Sequence, residues 1–340
     1  IAPKIHYLSP ENQKMIDELL INLDSTPNKS RLGANAVLAV SMAVCKAGAA
    51  ENELPLYEHI EQLYGKKMEK QIPLPMILIF EGGKHAHKSS DIQEFMIIPT
   101  QEKFKEGLRK GVEVYHVIGE LLKEKNFSTT VGYEGAYGSP FKNDAAIFEL
   151  IQKGILSAGF KEKEFRFAID VAASELYNKN SYSINGKYLK KKALLTYYQT
   201  LIKNYDIGSI EDGFDEEDWD SWKELMSNMG KNHMIVGDDL LASNPTRIRR
   251  AIKEKVCNAL LLKINQIGTI TEAFEAARLA SDAGWKIVVS HRSGETEDTF
   301  IADFAVGIGA DFVKFGAPSR GERTSKYNQL LRIGEALKTA

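Results

Sequence analysis

"ALLLKINQIGTITEAFEAARLASDAGWKIVVSH", Ala259 to His291, decides the fold. Two short apolar runs, "ALLLKIN" and "KIVVSH", flank a stretch with helical spacing. That stretch opens on a capping box, Thr269-x-x-Glu272, and stops at Gly284. Strand, helix and strand in this order make a βα unit of a parallel sheet. The unit recurs: "FRFAID", "IGSIED", "MIVGDD" and "DFVKFG" bring the set to six apolar runs alternating with helical patterns. One interval is longer and holds "SYSINGKYLK", where Asn185-Gly186 predicts a hairpin. Upstream, "IPLPMILIF" and "IQEFMIIP" are two more strands. The gap between them is too short for a crossover helix, so this pair is expected to be antiparallel. Eight strands predict an α/β fold, a (β/α)8-type barrel with an irregular antiparallel start.

The stretch before the barrel reads as helices. "ENQKMIDELLINL" has helical apolar spacing, and "PLYEHIEQLYG" runs from a proline to a glycine. "GANAVLAVSMAVCKAGAAE" is apolar nearly all round, which predicts a buried helix. "KKMEKQIPLP" reads as a linker. The expected division is a partial helical N-terminal capping domain over 1–70 and the barrel over 71–340. A long helix is expected over "QEKFKEGLRKGVEVYHVIGELLKEK", with Phe104, Leu108, Val112, Tyr115, Ile118 and Leu122 on one face.

The six runs end on polar residues: Asp170, Glu211, Asp238, Lys263, His291 and Lys314. Strand C-termini in such a barrel converge on one mouth, where barrel enzymes keep their active sites. Three carboxylates on successive strands repel one another unless a cation neutralises them. Hard oxygen ligands with room for water and substrate favour Mg²⁺. Lys263, His291, Arg292, Ser293 and Lys314 supply a cationic half suited to phosphate or carboxylate. A lysine beside metal ions and other cations has its ammonium disfavoured and can serve as a base. Metal facing lysine is an arrangement for removing a weakly acidic proton next to a carboxylate.

The chain has 340 residues and a net charge of −2, with 43% hydrophobic residues. That balance gives no whole-chain pull toward nucleic acid or an anionic membrane. No apolar run reaches the roughly 18 residues that span a bilayer. Cys45 and Cys257 sit in apolar contexts and read as reduced core thiols, which points to a cytoplasmic protein. Residue 1 is Ile, so a fragment or processed product is expected.

The motifs resemble the enolase (phosphopyruvate hydratase) family over nearly the whole chain. The segments that carry the resemblance include "NKSRLGANAVLAVSMAVCKAGAAENELPLYEHI", "QEFMIIP", "IDVAASELY", "SIED", "GDDLLASNP", "LLLKINQIGT", "VVSHRSGETEDTFIAD" and "RGERTSKYNQLLRI". The resemblance implies Mg²⁺-dependent dehydration of 2-phosphoglycerate to phosphoenolpyruvate, a step of glycolysis and gluconeogenesis, in a homodimer. It implies Asp170, Glu211 and Asp238 as metal ligands and Lys263 as the base at C2. Glu134 would be the acid at the C3 hydroxyl, with Glu94 beside it. Lys314 would lie at the substrate carboxylate, Arg292 and Ser293 at the phosphate, and His85 and His291 elsewhere in the pocket.

The chain departs from the family pattern in several places. It lacks the family's N-terminal strand meander with its serine-bearing lid, so lower turnover than a complete chain is expected. "LIFEGGKHAHK" puts Leu78 and Glu81 where the family has amides and adds Lys84 and His87, the latter expected on a surface loop. "GYEGA" puts Tyr133 where an acid is usual. Gly213 replaces a proline and Phe315 a threonine. A carboxylate at Glu81 would raise the pKa of Glu134 or Glu94. Two other readings remain: an enolase-like protein of weak or no turnover with a binding or structural role, and another superfamily lyase or isomerase acting on a different acid.

Overall fold

A ring of eight strands organises the molecule: β1 (Leu74–Glu81), β2 (Glu94–Pro99), β3 (Phe165–Asp170), β4 (Ile207–Glu211), β5 (Met234–Gly237), β6 (Ala259–Leu262), β7 (Lys286–Ser290) and β8 (Phe312–Lys314). β8 pairs in parallel with β1, Leu74 opposite Phe312, and this pairing closes the barrel. The computed structural model describes residues 1–66, 71–86, 89–100, 103–138, 141 and 143–338. Part of the expected linker, 67–70, and His87 lie outside the described residues. A two-residue strand, Tyr137–Gly138, adds to the outside of β1.

The irregular start is as the short gap predicts. β2 runs antiparallel to both β1 and β3, while the remaining neighbours are parallel. This inversion matters for the site, because it places the first residue of β2 at the rim where its neighbours end. Glu94 is the Cα partner of both Glu81 and Asp170, and Asp170 that of Glu211.

The strands are apolar on nearly every residue, as strands covered on both faces must be. Helices such as Phe104–Glu124, Lys191–Asn204 and Ile270–Asp282 cover them. In the first of these, Phe104, Leu108, Tyr115, Ile118 and Leu122 are buried and Val112 is half-buried. The Asn185-Gly186 turn joins an antiparallel hairpin, Ile184 facing Lys187, with both turn residues at positive φ (51° and 70°), as a primed turn requires.

The N-terminal helices Gln13–Asp24, Ala34–Glu51 and Leu56–Tyr64 dock on the barrel partly by capping one of its helices. The first N–H groups of Ile270–Asp282 have no intrahelical acceptor. Ile270 N–H donates to Ser41 Oγ (3.0 Å), Thr271 N–H to Asp17 Oδ2 (3.0 Å) and Glu272 N–H to Thr269 Oγ1 (3.2 Å). Lys29 closes the arrangement on Glu272 at 2.8 Å. Asp17→Ala is therefore expected to lower stability by about 1–2 kcal/mol, read as a shifted urea midpoint at unchanged slope.

One expectation is corrected here. Ala34–Glu51 buries a single stripe, with Val37, Leu38, Ser41, Cys45, Gly48 and Ala49 inside and residues such as Ala36 and Ala39 exposed. Alanine fits an exposed face as readily as a packed one, so its abundance did not measure burial. Cys45 and Cys257 are both buried and free. Among the described residues no helix is long and apolar enough to cross a membrane.

Candidate active site

The strand ends meet in one small cavity of about 40 Å³, which has room for one or two waters. Glu94, Glu134, Asp170, Asp238, Lys263 and Lys314 all line it, as do His85, His291, Arg292 and Ser293. Glu211 lies directly beneath, fully buried. A larger cleft of about 250 Å³ shares Ser290, His291 and Arg292 with it. The candidate catalytic, substrate and metal residues read from the sequence thus lie around this cavity, with Glu211 beneath it.

Lys314 is the centre of the acidic half. Its Nζ lies 3.0 Å from Asp170 Oδ2, 2.8 Å from Glu211 Oε1 and 2.9 Å from Glu94 Oε2. Burial disfavours its ammonium, but Asp170 and Glu211 outweigh that and raise its pKa well above the usual lysine range. Lys263 pairs with Asp238 in the same way. Burial pulls its pKa down, Asp238 pulls it up, and Asp238 wins. The reciprocal holds for Asp238, which burial pushes up and Lys263 brings below the carboxylate range.

Glu211 is pushed well above that range by burial and then by the charge of Asp170, with Lys314 opposing. Its Oε2 is buried without a hydrogen-bond partner. Crowded, buried carboxylate oxygens with one left unpaired are a donor set that fits a hard divalent cation. Lys314 joins Asp170 to Glu211, and Lys263 pairs with Asp238. The tightest groupings of ligating atoms lie beside them: Asp212, Asp238 and Asp239, and His85, Glu94 and Glu134, each within 4.8 Å. Within the grouping of Asp212, Asp238 and Asp239, Asp212 has no oxygen to spare. Both carboxylate oxygens of Asp212 are already occupied by the N–H groups of Asp238 (2.9 Å) and Asp239 (2.8 Å).

Opposite lies a second pair of carboxyls whose proton affinities diverge. Burial, then the charge of Glu134, pushes Glu94 well above the carboxylate range despite Lys314. Burial acts on Glu134 as well, but His291, then His85 and Lys314, hold it well below that range. Neighbouring carboxyls pushed apart in this way divide the roles of proton holder and proton acceptor. Ser293 Oγ donates to Glu134 Oε1 at 3.0 Å and meets His85 Nε2 at 2.9 Å. His291 Nε2 lies 3.1 Å from Glu134 Oε2. Arg292 is exposed and donates to Asn265 Oδ1 at 3.0 Å.

Glu134 stands on a tight turn whose backbone is gripped on every side. Glu81 Oε1 accepts from the N–H of Glu134 (3.0 Å) and of Ala136 (2.8 Å). Tyr115 OH donates to Gly135 O at 2.8 Å, and Ala317 N–H to Glu134 O at 3.0 Å. Glu81 therefore sits behind the turn, outside the cavity lining. Tyr133 is 62% exposed and does not line the cavity. Leu78 and Phe315 are buried in the core, and Lys84 pairs with Glu175 on the surface.

Three contributors escaped the sequence reading. Asp212, the second acid of "SIED", orients Asp238 through the two backbone bonds above. Gln266 donates to Asp238 Oδ1 at 3.2 Å and is itself held by Ser243 at 2.9 Å. Arg323 is fully buried and bridges the Glu134 turn to the His291–Ser293 segment. Asp212 had a signal, a doubled acid at a strand end. Arg323 had none, since a cation in a polar helix reads as surface.

Comparisons with known proteins support the barrel fold. The family described as "Enolase, C-terminal TIM barrel domain" matches residues 69–340, and "Enolase, N-terminal domain" matches residues 1–60. A protein named Enolase from Elusimicrobium minutum (strain Pei191) is 44% identical over 339 residues, covering 99% of this chain and 80% of that protein.

Proposed function

The chain belongs to the enolase family and is a hydro-lyase, and on that premise we propose that it dehydrates 2-phosphoglycerate to phosphoenolpyruvate with Lys263 as base and Glu134 as acid. The observation that carries the reading is the pairing of Lys314 and Lys263 with Asp170, Glu211 and Asp238 around one cavity that Glu94 and Glu134 also line.

Asp170, Glu211 and Asp238 would hold Mg²⁺, the hard cation their oxygens suit. When bound, it supplies positive charge against which the substrate carboxylate can accept a further negative charge. Lys263 takes the proton from C2 in its amine form, which requires the grip of Asp238 on its ammonium to be relaxed. The C2–C3 double bond forms as the C3 hydroxyl departs, and Glu134 delivers the proton that makes it water. Before substrate binds, the proton rests on Glu94 and Glu134 is ionised; Glu134 takes up the proton it delivers only when the negative charge of the substrate raises its proton affinity. Lys314 orients the substrate carboxylate. Arg292 and Ser293 hold the phosphate end, and His85 and His291 line the rest of the pocket beside Glu134. The substrate enters from the larger cleft, and the lysines part from their carboxylates to admit it. The same reading carries a glycolytic role, a cytoplasmic setting and a homodimer.

Calorimetric titration tests the metal seat. Mg²⁺ is expected to bind the unaltered protein, and Asp238→Ala to weaken binding by at least about tenfold. Equal affinity in both would remove Asp238 from the ligand set.

A further inference from the structure

We propose that Glu81 is a positioning residue for Glu134: its buried carboxyl grips the turn that carries Glu134, and its charge state sets how firmly that turn is held and how readily Glu134 takes up a proton. This rests on the reading of Glu134 as the acid.

The geometry comes first. Glu81 is the last residue of β1 and is fully buried. One oxygen, Oε1, takes both backbone donors of the turn, from Glu134 at 3.0 Å and Ala136 at 2.8 Å. The other, Oε2, is buried with no hydrogen-bond partner. It lies so close to Gly132 that a Cβ there would approach it to 2.3 Å, so any larger residue at Gly132 would evict the carboxyl. An ionised carboxylate with one oxygen unpaired in the interior is costly. A neutral carboxyl costs less: Oε1 stays an acceptor and the proton sits on Oε2. The site thus tolerates both states and favours the neutral one.

The charged and titratable groups around Glu81 agree. Glu134 on the turn disfavours its ionisation, and Arg323 from the helix Gly321–Leu337 favours it. Tyr115, from the helix Phe104–Glu124, senses the charge of Glu81, and Glu94 is its partner on β2. Burial is the largest influence and pushes the Glu81 carboxyl up to about 7. Near neutral pH the side chain therefore changes charge. As pH rises through that value, the carboxylate strengthens both backbone bonds, because charge-assisted hydrogen bonds are the stronger ones. It also raises the proton affinity of Glu134 by repulsion.

The test compares the full chain with Glu81→Gln, whose amide oxygen keeps both backbone bonds but cannot titrate. Turnover on 2-phosphoglycerate is expected to rise by about threefold to tenfold through neutral pH in the unaltered protein. That step should vanish in Glu81→Gln, while KM changes little in either. Thermal unfolding supplies a readout independent of activity. Glu81 carries a raised pKa, so the folded protein binds more protons than the unfolded one between the ordinary glutamate value and about 7. Its melting temperature should accordingly fall, relative to Glu81→Gln, as pH rises across that window. Parallel melting curves would overturn the ionisation, and identical turnover profiles in two active proteins would overturn the positioning role. If neither protein turned over 2-phosphoglycerate while the melting curves diverged, the assigned reaction would fall and the ionisation of Glu81 would stand.

Discussion

Lys263→Ala is expected to lower turnover of 2-phosphoglycerate by about a thousandfold while leaving Mg²⁺ binding intact or tighter. The two halves of that result follow from one contact. Lys263 Nζ is ion-paired with Asp238 Oδ2, so it competes with any cation for that carboxylate. Removing the lysine removes the competitor. Asp238 then keeps only Gln266, at 3.2 Å, and its two backbone supports through Asp212. A residue that served merely to neutralise Asp238 would be dispensable once metal was present. A base at C2 would not. Exchange of the C2 proton with deuterated solvent separates the cases: it should be lost in Lys263→Ala and persist in Glu134→Gln, whose lesion falls on the departing hydroxyl. Persistence of exchange without Lys263 would assign the base elsewhere.

The barrel and half of its mouth were legible for a simple reason. Parallel strands buried on both faces are short apolar runs, and the residue that ends each one is the first to reach solvent at the rim. Asp170, Glu211, Asp238, Lys263, His291 and Lys314 could be read off in this way. Glu94 could not, because β2 runs backwards and offers the rim its first residue. Only the resemblance to a known family pointed to it, and likewise to Glu134 and His85, which stand on connections without periodicity. The expected rise of Glu134 or Glu94 from Glu81 is not what the structure gives: burial and the charge of Glu134 raise Glu94, His291 holds Glu134 low against its burial, and burial raises the carboxyl of Glu81 itself. Tyr133 was marked as an intrusion by its type alone, and the turn carries it outward. The Ala-rich helix was overread because small residues leave little difference between a packed face and a wet one.

Arg323 shows what no local pattern reveals, and its removal is expected to cost more stability than any other change considered. Its guanidinium is fully buried and donates four hydrogen bonds to the two loops that meet over Glu134. Nη1 reaches His291 Nδ1 at 2.5 Å and Arg292 O at 2.8 Å, and Nη2 reaches Tyr133 O at 3.0 Å and Ser293 O at 2.8 Å. A guanidinium can only donate, so His291 Nδ1 must present its lone pair and its proton must sit on Nε2, facing Glu134. Arg323 thereby fixes the tautomer of His291 and the direction of its bond to the acid. Burial first, with Arg323 and Lys314 adding to it against the pull of Glu134, pushes His291 down to about 4. Between that value and the ordinary histidine range the unfolded chain binds a proton that the folded one refuses. Stability should therefore be fully present above about pH 6.5 and fall by up to about 3 kcal/mol as pH drops to about 4. Arg323→Gln can replace at most part of the fork and leaves buried carbonyls unpaired, so a loss of about 3–5 kcal/mol is expected in urea unfolding. In the surviving folded fraction, nitrogen NMR of His291 should show a mixed tautomer and a pKa moved back toward the histidine range. An unchanged Nε2–H signature in that variant would mean that Glu134 alone orients the ring, and Arg323 would be left with a purely structural part.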